Sequence, residues 1–285
     1  LAAAMARIRE AESAYRAVLE QAPHTHDALH MLGVIRLGLG DFPDAERLIR
    51  EARALRPSYP AIETNWSLVQ RSIVAARTGS TGRDSDISLF LVDLKAGGVE
   101  AKSLTNVDPT RGQAELTFKN TKAEPLGATG DGWSILTQVL DRAAVLLAFE
   151  QVGGSDRALE MGRDYALDRI AFGRPIGSFQ AVKHILADMY VSATLARSNC
   201  YYGAWALSTN AGELPEAAAA ARISATQAFQ HCAKNNIQVH GGMGFTWEFD
   251  CHMYYRRANA TALGLGSLSY WEDALIDRMR KKNAA

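Results

Sequence analysis

Apolar positions along the chain follow three different rhythms. From Gly132 to the C-terminal end they recur at spacings of three and four. Leu136, Leu140, Ala143 and Leu147 form one stripe, continuing through Ala158 towards Arg169, which predicts a long amphipathic helix. Phe179, Val182, Leu186, Met189 and Ala193 form a second, and Ser178 ahead of it is a candidate N-cap, accepting from an otherwise unsatisfied backbone N–H. That helix is expected to end near Ser208, where Asn210-Ala211-Gly212 breaks it. Leu214-Pro215 then opens an alanine-rich helix reaching about Val239. After His240-Gly241-Gly242 and an aromatic-rich stretch, a last helix starts near Leu268. Four long helices with short links predict an antiparallel four-helix bundle over 129–285.

Between 67 and 128 the rhythm is that of strands. ISLFLVD (87–93) is a β-type apolar run, preceded by IVAARTG and the polar link GSTGRDSD; GVEAKSL and QAELTF follow, each bounded by turn residues. These few short strands do not suffice to close a barrel or sandwich, so they read as part of a β-domain. Residues 1–66 show the third rhythm. AESAYRAVLEQAP (11–23) and AERLIREARALRP (45–57) match at a 34-residue offset, Ala11 with Ala45, Glu12 with Glu46, Arg16 with Arg50 and Pro23 with Pro57. A Leu-Gly pair and a Gly-Asp turn lie between them.

This segment resembles the tetratricopeptide repeat, a helical hairpin with a period of ~34 residues. One full repeat spans Asp27 to Pro60, after the second half of another, and Asn65-Trp66 begins a third. About three such units are needed for stability, so the array is expected to be incomplete or to lean on the rest of the chain. The fold class expected is thus mainly α: partial tetratricopeptide-like hairpins (1–66), a short remnant of a β-domain (67–128) and the bundle (129–285).

Composition narrows the partners. Lys plus Arg and Asp plus Glu are each 31 in 285 residues, so no net field favours nucleic acid or an anionic membrane. The basic RMRKK at 278–282 suits the negative end of a helix. The longest wholly apolar run, Ala143 to Phe149, is far below the ~20 residues of a spanning helix, and LAAAMA is too short for a signal-peptide core. No membrane insertion is expected. Three cysteines, Cys200, Cys232 and Cys251, make an odd count without framework spacing, and the expectation is a reducing, cytoplasmic setting.

The stretch with most chemistry is DRIAFGRPIGSFQAVKHILADM, 168–189. A polar, glycine-containing turn there joins two helices and carries Arg169, Phe172 and Gln180. By itself such a turn is more often packing than a site. Arg-x-x-Phe-Gly, a Pro-Ile spacer, Phe-Gln and a Leu-Ala-Asp-Met helix resemble the signature of the acyl-CoA dehydrogenases. QVHGGMGFTWEF (238–249) resembles the same family's Gln-x-x-Gly-Gly-x-Gly-Phe/Tyr block, in the right order and separation. The resemblance covers roughly 70–285, which is only the later half of a family member.

It implies an FAD-dependent α,β-desaturation of acyl-CoA, with the flavin doing the redox work and the protein supplying binding, orientation and a base. It implies that Arg169 pairs with the FAD pyrophosphate, since a guanidinium donates two parallel hydrogen bonds to phosphate oxygens. Phe172 and Gln180 pack and bond around the same cofactor. Gln238, Gly241 and Gly242 pass close to it, the glycines leaving room for backbone approach. In the family these residues reach across a dimer to FAD held by the neighbour, so a homo- or hetero-oligomer with a dehydrogenase homologue is expected.

The base is missing. The family's Tyr-Glu-Gly-Thr stretch aligns with GLGS, placing Leu265 at the glutamate. The alternative glutamate on the preceding helix aligns with Ala143, followed by Ala144, although Asp141 keeps an acidic position nearby and is the candidate substrate contact. Glu150 lies two turns beyond Ala143, ~10 Å along the axis. A base contributes 10²–10⁴-fold, roughly 3–5 kcal/mol of barrier, so the chain alone is expected to be slow or inactive. Two readings stay open: a dehydrogenase impaired on its own, and a non-catalytic or interaction subunit pairing with a full-length homologue. Metal sites at His24, His26 and His30, or at His231-Cys232 with Cys251-His252, lack the usual structural zinc spacing, and none is expected.

Overall fold

The computed structural model describes residues 2–38, 41–57, 59–62, 71–95 and 97–284. Asn65-Trp66 and the boundary at 66/67 lie outside the described residues. The chain divides into two compact units, 1–101 with 116–133, and 102–115 with 134–285.

The first unit begins with helices α1 (Ala2–Gln21), α2 (His26–Gly38) and α3 (Phe42–Leu55). Asp41 caps α3, its carboxylate accepting from the Asp44 N–H, and Pro43 occupies the first turn, where its missing N–H costs no helical bond. The repeated apolar positions face one another: Leu29, Leu32, Leu48, Ile49, Ala52 and Ile62 form a buried cluster under Tyr15, Leu19 and Tyr59. Gly33 lets α2 and α3 close up, since a Cβ there would stand 2.6 Å from Ile49 Cγ1. Arg36, part-buried, donates to Glu12 at 2.6 Å and also reaches Asp41 and Asp44.

The same unit holds an antiparallel sheet of β1 (Arg71–Arg77), β2 (Ile87–Asp93) and β5 (Ala123–Leu126), in the order β1-β2-β5. Val74 pairs with Phe90, and Leu89 with Leu126. β1 begins earlier than the apolar run suggests, and β5, only AEPL, is too short and polar to stand out. β3 (Val99–Leu104) and β4 (Gln113–Phe118) form a separate two-stranded ribbon, whose outer part, 102–115, belongs with the second unit.

The second unit is helical. Among its described residues are α4 (Gly132–Asp168), α5 (Gln180–Thr209), α6 (Leu214–His240), α7 (Cys251–Leu263) and α8 (Leu268–Ala284). There are therefore five helices where the periodicity marked four. α7 was hidden because its buried positions, Cys251, His252, Ala258, Thr261 and Ala262, are small or polar and make no apolar stripe. Ser178 is not the cap of α5: it ends a short 3-10 turn, Ile176–Ser178, and Phe179 takes the cap position with no side-chain bond. Asn210, left-handed at φ 51°, closes α5, and Lys281 and Lys282 lie in the last turn of α8.

Alanines make the core. Ala217, Ala218, Ala219, Ala221, Ala225 and Ala228 of α6 are buried against Ala144, Val145, Ala148 and Val152 of α4 and Ala196, Cys200 and Ala206 of α5. Small side chains let the helix backbones approach, so contact replaces bulk. α4 is long and apolar enough, by composition, to cross a membrane. Its Asp141, Glu150 and Asp156 nevertheless form ion pairs with Arg278, Arg257 and Arg197 of neighbouring helices, as suits a core helix.

Candidate functional site

The Arg-x-x-Phe-Gly block folds as a hairpin. β6 (Ile170–Ala171) pairs with β7 (Arg174–Pro175), Ala171 opposite Arg174. The two turn residues, Phe172 and Gly173, have φ of 54° and 76°, the left-handed pair a two-residue hairpin requires. Glycine takes that conformation freely; phenylalanine does so at ~1–2 kcal/mol. Phe172 is also 94% exposed, so no burial offsets the strain. An apolar ring held in the open at a conformational cost is a site feature rather than a packing one.

Arg169 and Gln180 flank this hairpin, both exposed. The Arg169 backbone N–H continues α4 by donating to Tyr165 O at 2.9 Å, and among the described residues no carboxylate neutralises its guanidinium. Arg174, which the sequence reading passed over, lies 4.1 Å above the Phe179 ring. Phe179 in turn meets Phe172 edge-on at 6.0 Å. The hairpin thus presents two cations beside two aromatic faces.

The second block lies at the end of α6. Gln238, Gly241 and Gly242 line a hollow of ≈310 Å³ with Lys234, Ile237, Phe245 and Tyr255. Gly241 ends α6 at φ 59°, ψ −136°, so it is needed there for its conformation. The space beyond both glycines is open, with no atom within 4 Å of a Cβ built there. Arg169, Phe172 and Gln180 do not line this hollow. The two blocks are joined underneath, where Tyr165 of α4 stacks on His240 of α6 at 4.2 Å.

These residues fit an anionic, aromatic cofactor such as FAD: an unneutralised guanidinium, exposed rings, a carboxamide and an open glycine turn. The exposed residues with this character are Arg169, Phe172, Gln180, Gln238, Gly241 and Gly242.

The region of the base differs in kind. Leu265 stands at φ 62° between Gly264 and Gly266. Its carbonyl accepts from Trp271 Nε1 at 3.0 Å, and the Gly264 carbonyl accepts from Arg222 Nη2 at 2.6 Å. Arg222 is 1% exposed and also donates to Gln151, Thr226 and the Thr261 carbonyl; burial lowers its pKa to about 10. Ala143 is half-buried on α4.

Glu150 is paired with Arg257 at 3.1 Å and Arg111 at 3.5 Å. Arg257 also reaches Asp108, at 2.8 Å. Glu150 is thus already engaged by two guanidiniums. Asp141, the candidate substrate contact, is buried and accepts from Arg278 Nη2 at 2.8 Å. Burial pushes its carboxyl above the usual range despite that partner. The structure gives it a structural role, tying α4 to α8.

The thiols and histidines are dispersed. Cys200 and Cys232 are buried and pushed up to about 12, and Cys251 is also raised by burial. His26 contacts Arg56 at 2.9 Å, and His252 meets Trp247 edge-on at 4.4 Å. Among the described residues no group of three or more His, Cys, Asp or Glu is placed to hold a metal.

Comparison with known proteins agrees with the motifs. The chain is 41% identical over 223 residues to acyl-CoA dehydrogenase IpdE2 of Mycobacterium tuberculosis, covering 77% of this chain and 62% of that protein. It is 30% identical to human mitochondrial short-chain specific acyl-CoA dehydrogenase, covering 72% and 50%. Among solved structures, the Tcur3481-Tcur3483 steroid ACAD G363A variant superposes with a TM-score of 0.66 at 29% identity, over 76% of this chain and 56% of that one. The chain spans less than two thirds of the length of these relatives. Residues 130–278 match the family described as acyl-CoA dehydrogenase, C-terminal domain, and the chain belongs to the acyl-CoA dehydrogenase family.

Proposed function

We propose that this chain is one component of an FAD-dependent acyl-CoA dehydrogenase, working with a full-length homologous subunit that supplies the early β-strands and the base. The observation that carries this reading is the pairing of an exposed, unneutralised Arg169 and strained Phe172 with two base positions occupied by Leu265 and Ala143. A chain able to grip a cofactor but unable to take the α-proton is complete only beside one that can.

FAD, when bound, supplies the hydride acceptor for α,β-desaturation of the thioester. This chain's own residues do three things. Arg169 would pair with the pyrophosphate. Phe172 would pack on the cofactor, and Gln238 with the Gly241-Gly242 backbone would orient it. On this reading the partner subunit takes the proton, since among the described residues Glu150, the nearest acid to Ala143 towards the C-terminal end of α4, is already paired with Arg257 and Arg111. On the same reading α1–α3 are tetratricopeptide-like and serve as a docking element, supported by their 34-residue correspondence. The buried thiols suit a reducing cytoplasmic setting. Because one related structure is a steroid ACAD, steroid-derived acyl-CoA thioesters are the first substrates to test beside fatty acyl-CoA.

The experiment is co-expression with a full-length homologue, followed by mass measurement and a visible spectrum. The expected product is a yellow heteromer with fewer flavins than subunits. Arg169→Ala lowers its flavin content; Arg157→Ala, outside the motif, leaves it unchanged. A stable homodimer carrying one flavin per chain, or equal flavin in all three proteins, refutes the reading.

A further inference from the structure

The two motif blocks, about seventy residues apart in sequence, meet at one aromatic stack. His240 is the last residue of α6, directly before Gly241, and is 5% exposed. Its ring lies on that of Tyr165 with planes only 24° apart. Phe249 meets both rings edge-on, at 5.4 Å from His240 and 5.7 Å from Tyr165. His240 Nδ1 stands 2.8 Å from the Asn236 carbonyl, so Nδ1 carries the proton and donates while Nε2 is bare. Tyr165 lies one turn ahead of Arg169, whose backbone N–H it receives.

We propose that His240 is a positioning residue for the cofactor: through Tyr165 and Phe249 it holds the Arg169 end of α4 and the Gln238–Gly242 end of α6 in one register. The proposal rests on the cofactor reading above. Below it the two helices already pack through Gly154 on Phe229 and Ala158 on Cys232, and the stack carries that contact up to the ends that bear Arg169 and Gln238. Stacked aromatic pairs add attraction beyond their burial, and a charge on the buried imidazole opposes it through desolvation.

That proton has a defined place. Burial lowers the His240 pKa from its ordinary 6.5, the Asn236 carbonyl opposes this more weakly, and no charged side chain contributes. The charged neighbours in sequence, Asp164, Asp168 and Arg169 on α4, Lys234 on α6, and Glu248 and Asp250 beside Phe249, are all exposed. The folded state therefore binds fewer protons than the unfolded one between the two pKa values. The stack's contribution is full above about 6.5 and is lost as pH falls through the folded value.

Hydrogen exchange on the cofactor-free chain tests the positioning directly. Protection factors at 169–176 and 241–246 are expected to fall together below about pH 6.5, by up to ~tenfold per pH unit, the limit for one proton. His240→Phe keeps a ring and removes the titration, so both segments hold their protection across the same range. Tyr165→Leu loosens both at every pH. The same pH response in wild type and His240→Phe, or a response in one segment alone, overturns the proposal. Flavin retention in the heteromer separates this from the cofactor reading. Acid loss of flavin by wild type that His240→Phe resists supports the proposal, and equal acid loss by both overturns it. Flavin fully kept by Arg169→Ala at neutral pH sinks the cofactor reading instead.

Discussion

The hairpin region and the base region of this bundle are built on opposite rules. Around Arg169, Phe172, Gln180 and Gln238, side chains are exposed, one ring sits in a strained conformation, and a guanidinium lacks a counter-charge. In the second region Glu150 and Asp141 are ion-paired, and the backbone through Leu265 is pinned by buried Arg222 and Trp271. The first region turns its side chains outward. The second turns them inward onto its own helices. The loop through Leu265 is among the more firmly held parts of the unit.

The comparison is broken most forcefully at Arg222. Arg222→Ala removes a fully buried side chain and strands Gln151 and two backbone carbonyls, with an expected loss of about 4–5 kcal/mol, read as the urea midpoint. A shift under about 1 kcal/mol would show that the base loop is not held from below. Next comes Arg278→Ala, which leaves Asp141 buried without its cation, at about 3 kcal/mol. Because burial already raises the Asp141 pKa, the folded state binds that proton more readily than the unfolded one. The deficit is therefore largest at neutral pH and shrinks as pH falls below the raised value. A pH-independent deficit would show that Asp141 is not the group left behind.

At the hairpin the signs differ. Phe172→Gly relieves a left-handed phenylalanine and gives up one edge contact with Phe179, so thermal unfolding should show a gain of up to about 1 kcal/mol while flavin retention falls. Stability and retention lost together would make Phe172 a packing residue. The smallest effect is that of Arg169→Ala, within ±0.5 kcal/mol on stability, its cost appearing in bound flavin alone.

The two regions were unequally legible in the sequence. Apolar periodicity located α4, α5, α6 and α8 to within a few residues, and the motif spacing singled out both blocks. What escaped depends on contacts between distant segments. The Tyr165–His240 stack, the Arg257–Glu150–Asp108 cluster and the Arg174–Phe179 contact have no local signature. Arg222 had one: a lone arginine within the alanine-rich run of α6 is a charge on a face that must be buried. Ser178 misled because serine caps helices on average, whereas here the 3-10 turn already delivers the chain to Phe179. The acidity of Asp141 is visible in sequence, and its burial against Arg278 is not.

The three cysteines stand one on each of α5, α6 and α7, all buried and all shifted away from the thiolate. Only the thiolate reacts with alkylating reagents, so each sulfur is silent while its helix is seated. The native chain thereby carries three ready-made chemical clocks. The rate at which each is alkylated in water reports how often its own helix lifts from the bundle, and a cofactor or subunit that steadies the bundle will slow them by amounts that say where it is bound.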